Sequence, residues 1–94
     1  MSDASTPYQE QLKMDVYYRL QVVAGQVNGV ANMLTQQRPL TEALQQLNAV
    51  QAGLRGASSS ILALYMEQRV TQATDSREPV AYDEIMKTVF KFLR

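Results

Sequence analysis

The residues that could do chemistry are few, and their surroundings disarm most of them. Three consecutive serines, Ser58-Ser59-Ser60, offer hydroxyl nucleophiles. A serine attacks only when a neighbouring base takes its proton, and the chain contains no histidine to do so. The serines are better read as small residues at a helix crossing. The carboxylates are scattered, and only Asp83 and Glu84 adjoin, whereas a hard cation needs several converging oxygens. With neither cysteine nor histidine there is no thiolate nucleophile, no disulfide and no ordinary soft-metal ligand. A glycine-rich phosphate loop and a nucleophile elbow are also missing. The residue set implies a protein that is not an enzyme and carries no cofactor and no metal.

Charge points the same way. Nine Lys and Arg balance nine Asp and Glu, so no global positive field draws the chain to nucleic acid or to an anionic membrane. Any DNA contact must come from a local patch. No apolar run approaches the roughly 20 residues that span a bilayer, and the polar start Met1 to Thr6 lacks the basic and apolar regions of a leader. A soluble, untargeted protein with no membrane partner is expected, and the absence of cysteine is compatible with the cytoplasm without proving it.

What must position any working residue is a set of helices. Thr6-Pro7 reads as an N-cap and first helical residue, with Gln9 placed to complete a capping box. The helix that starts there should run about 28 residues, to the stretch Gln36-Gln37-Arg38-Pro39, where proline ends it. Val16, Leu20, Val23, Val27, Val30 and Leu34 recur at alternating steps of four and three, a seam for helix-on-helix packing. Gly25 and Gly29, four apart, read as packing glycines that admit a neighbouring backbone. A second helix is predicted from Pro39 to Thr41 as far as about Val70. Its stripe is Leu40, Leu44, Leu47, Val50, Leu54, Ala57, Ile61 and Leu64. Its small-residue middle, 53–60, predicts either a bend or a close crossing.

Residues 71–79 read as a polar linker. A third, amphipathic helix follows from Pro79 or Tyr82 to the end, with Asp83 and Glu84 at its start and Lys87, Lys91 and Arg94 toward its finish. The reading is therefore all-α: a single domain over 1–94 with a flexible start at 1–6, two long antiparallel helices and a short C-terminal one. A chain this short buries only about 60 to 65% of its unfolded surface, and a hairpin leaves each stripe open on one side. A homo-oligomer, most simply a dimeric four-helix bundle, closes it.

Arg19-Leu20 followed by Gly25-Gln26-Val27-Asn28-Gly29-Val30 resembles the first-helix signature of the CsoR/RcnR family of bacterial metal-sensing repressors. Arg38 and the run Leu44-Gln45-Gln46-Leu47-Asn48-Ala49-Val50-Gln51-Ala52-Gly53-Leu54 are similar to the second-helix signature. The resemblance covers residues 12 to 70. It implies a three-helix protomer, a dimer built as an antiparallel four-helix bundle and commonly a tetramer. It further implies a DNA-binding repressor released from its operator by an effector bound between the second helices of two protomers.

The implied ligand positions hold Leu40, Tyr65 and Arg69 in place of the family's cysteines and histidine. Leucine has no lone pair, and tyrosine keeps its proton near neutral pH, so soft-metal sensing by that chemistry is not expected. Tyr65 and Arg69, one turn apart, could instead line a pocket for a small anion, or form a surface packing contact. Three positions where the family usually carries a base read Val22, Asn28 and Gln51. Arg19 stands at its family position and Arg38 is retained, while Lys13 and Arg55 could add to a symmetric patch; each is otherwise a solvated charge. The leading expectation is a transcriptional repressor with a non-metal or lost effector. The alternative is an oligomeric helical interaction module that binds no DNA.

Overall fold

The computed structural model describes residues 6–93 and holds three helices: α1 (Pro7–Thr35), α2 (Leu40–Ser76) and α3 (Tyr82–Phe92). The expectations for 1–5 and for Arg94 lie outside the described residues. The capping box forms as the sequence predicts: Gln9 N donates to Thr6 Oγ1 at 3.1 Å, and Thr6 N donates to Gln9 Oε1 at 3.2 Å. Gln9 does more. It is 1% exposed, and its Nε2 donates to Thr71 Oγ1 at 3.3 Å, tying the start of α1 to the far part of α2.

Both long helices stop in the same way. Gln37 (φ 56°) and Arg77 (φ 57°) take the left-handed conformation. The following amides reach back to carbonyls five residues earlier, Arg38 N to Met33 O at 3.3 Å and Glu78 N to Ala73 O at 2.9 Å. This Schellman closure satisfies carbonyls the helix end leaves open. It also corrects the linker: α2 continues through the polar residues 71–76, and the connection to α3 is only 77–81. In the last turn of that segment Ser76 Oγ donates to Gln72 O at 2.8 Å.

α1 and α2 form an antiparallel hairpin, and α3 packs on α2 alone. The core of the protomer is thin. Val16, Val23 and Val30 on α1 face Ala43, Val50, Ala57 and Leu64 on α2, each row at seven-residue spacing, and Ile85 docks α3. The predicted stripes therefore split. Val27 and Leu34 are exposed, as are Leu40, Leu44, Leu47, Leu54 and Ile61, because a hairpin buries one edge of each stripe and leaves the other open.

The small-residue middle of α2 is a close crossing within an uninterrupted helix. A Cβ added to Gly53 would lie 2.7 Å from Val23 Cγ2, so α1 approaches to a distance that only glycine admits. Gly25 and Gly29 do not serve this purpose in the protomer, since a Cβ at either meets nothing within 4 Å. The packing glycines are on the other helix.

Candidate nucleic-acid interface and effector positions

The four basic residues singled out in the sequence fall into two pairs. Lys13 and Arg38 are engaged by nearby carboxylates: Lys13 Nζ lies 3.1 Å from Glu10 Oε2, and Arg38 Nη2 bonds Glu42 Oε1 one turn along. Arg19 and Arg55 are exposed and, among the described residues, have no ion-pair partner. Arg19 crosses to α2, where its Nη1 would stand 2.9 Å from a Cβ at Gly56, the residue next to Arg55. The fold thus brings Arg19 to the turn that carries Arg55, at mid-hairpin. Arg38 sits at the hairpin loop, about 25 Å further along the α1 axis at 1.5 Å per residue, and does not join them. Val22, at a position where the resemblance implies a base that this chain lacks, is 62% exposed and apolar, so the outer face of α1 has no cation there.

The effector positions do not converge within one protomer. Leu40 opens α2 at 70% exposure, and Tyr65 lies about 37 Å up the same helix. Tyr65 and Arg69 are both half-buried and both turned to α3. The Tyr65 hydroxyl donates to Thr88 Oγ1 at 3.3 Å, and Thr88 Oγ1 donates to the Glu84 carbonyl at 3.2 Å. Arg69 Nη2 donates to Glu84 Oε2 at 3.0 Å. Two consecutive turns of α2 are fastened to the first turns of α3 by a hydroxyl contact and an ion pair.

The two residues face different clefts. Tyr65 borders an open apolar cleft of about 460 Å³ with Ser58, Ile61, Leu62, Thr88 and Phe92. Arg69 borders a polar one with Glu78 and Glu84, where an entering anion would meet two carboxylates. The shared anion pocket is therefore replaced by an internal ion pair. Thr88 was not singled out in the sequence, and Glu84 was named only as a carboxylate beside Asp83 at the start of α3, not as a partner for Arg69. Their spacing of four on a predicted amphipathic helix was a signal, but the register of α3 against α2 depends on where α2 ends.

The protomer is thus a helical hairpin with an open aliphatic seam and, among the described residues, two arginines without an ion-pair partner at its middle. The family model described as metal-sensitive transcriptional repressor matches residues 12–91, and the chain belongs to that family. The family is one of transcriptional repressors, which supports a regulator role for this chain. No curated protein and no solved structure matches the chain. The metal that the family description implies finds no fitting donors here. Leu40, Tyr65 and Arg69 offer no soft ligand, and among the described residues no group of three or more Cys, His, Asp or Glu could hold an ion. Among the described residues, too, no helix is long and apolar enough to cross a membrane.

Proposed function

We propose that the protein is a DNA-binding repressor whose effector is not a soft metal. Two copies would pair through the exposed seam Leu40, Leu44, Leu47, Leu54 and Ile61 of α2. An antiparallel two-fold centred near Leu54 sets Leu47 against the partner subunit's Ile61 and closes a four-helix bundle. The same axis brings Leu40 within a turn of the partner subunit's Tyr65 and the partner subunit's Arg69, so the inherited effector position is assembled without a ligand set. The observation that carries the DNA reading is the pair of unpaired guanidiniums, Arg19 and Arg55, at the middle of a hairpin of this family. Repeated by symmetry, they form a local patch on a chain of zero net charge, the arrangement in which phosphate contacts arise without a global field.

Arg69 already has its anion in Glu84, and Tyr65 its partner in Thr88, which supports a lost effector over a new anionic one. The test is a mobility-shift titration on DNA adjoining the protein's own coding region, at two salt concentrations and with copper or nickel present or absent. Binding that weakens with salt and ignores both metals is expected. Equal, poor binding to operator and random DNA would replace this reading with the helical interaction module.

A further inference from the structure

Gly56 is a poor residue for the middle of a long helix, and the core does not explain it. Gly53 is accounted for by Val23, which leaves no room for a methyl. At Gly56 the atoms that a Cβ would meet are Nη1 and Cζ of Arg19, at 2.9 and 3.9 Å. The guanidinium of Arg19 therefore rests against bare α2 backbone. Its other face stays in solvent, since Arg19 is exposed and, among the described residues, unpaired.

We propose that Gly56 is a positioning residue for Arg19: its missing side chain forms a seat in α2 that directs the guanidinium toward the turn bearing Arg55. The inference rests on the repressor reading for its consequence, though the seat itself does not. An arginine free in solution loses many rotamers when it settles on a phosphate, and one already lodged in a groove loses fewer. With the seat filled, Arg19 keeps its charge and its place on α1 but leaves α2 and the neighbourhood of Arg55. The obstructing atoms are the far end of a flexible side chain, so alanine at 56 disturbs Arg19 while the fold remains, and helix propensity favours alanine.

The experiment uses the full chain in its native oligomer. The Nε–Hε resonance of Arg19 is recorded in ¹⁵N-labelled wild type and Gly56→Ala, with assignment by Arg19→Ala. DNA affinity is then titrated against salt for wild type, Gly56→Ala, Arg19→Ala and the double variant. The resonance should move in Gly56→Ala and the melting temperature should hold or rise. Affinity should fall by about 2- to 12-fold per arginine, the ordering cost of one long side chain. In the Arg19→Ala background the Gly56 change should have no effect on affinity. An unmoved resonance overturns the seat. The same loss with and without Arg19 overturns its link to DNA. A wild type that binds no DNA at either salt concentration sinks the repressor reading and the consequence together, and the resonance alone then decides the seat.

Discussion

Gly53→Ala probes the crossing on which the hairpin depends. The added methyl lies 2.7 Å from Val23 Cγ2, about 1 Å inside the usual 3.5 to 4.0 Å separation of carbon atoms. Val23 cannot turn aside easily, being 5% exposed and β-branched, with one strongly preferred rotamer in a helix. The helices must then separate locally, against a core only one residue wide on each side. Overpacking of this kind costs about 1 to 3 kcal/mol. Replacing a mid-helix glycine returns about 0.8 to 1 kcal/mol of propensity, so the net loss should be about 1 kcal/mol. Urea unfolding followed by circular dichroism measures it, at fixed protomer concentration because unfolding and dissociation are linked. Trimming Val23 to alanine removes the clash, so the double variant should be more stable than the sum of the single losses by at least about 0.5 kcal/mol. Strict additivity, or a Gly53→Ala protein more stable than wild type, would refute the close-approach argument.

Leu54→Asp at the centre of the open seam should give a species of about the 10.6 kDa protomer mass, or an unfolded chain, in light scattering, and an unchanged oligomer would rule out that seam. Calorimetry with copper, nickel, cobalt and zinc should find no stoichiometric binding tighter than about micromolar, for want of soft donors; a tight complex lost on changing Tyr65 would contradict this. Glu84→Gln should raise hydrogen exchange across α3 and cost no more than about 1 kcal/mol, because the ion pair with Arg69 is partly exposed. Gln37→Gly should stabilise the protein by up to about 1 kcal/mol in thermal unfolding, since glycine takes the left-handed conformation without the steric cost carried by glutamine.

What the sequence determined by itself is whatever depends on neighbours along the chain. The Thr6 and Gln9 capping box, the stop at Pro39, the helical periodicity of α1 and α2 and the lack of any cysteine or histidine ligand need only local geometry or a residue count. The family signature is likewise a local pattern, and the family it points to is the one whose model matches residues 12–91. Only tertiary structure decided how each apolar stripe divides. Val23 and Val27 are equally apolar, yet one is 5% and the other 47% exposed, and a pattern with period near 3.5 cannot say which edge meets its own hairpin and which is left over. Glycine is as ambiguous: Gly25 and Gly29 have the spacing of a packing motif but face open space, whereas Gly53 and Gly56 do the packing because α1 crosses there. The end of α2 at Ser76, six residues past the expected stop near Val70, sets the register of α3. That register hands Arg69 to Glu84 and Tyr65 to Thr88, contacts across 15 and 23 residues of chain that no local rule contains.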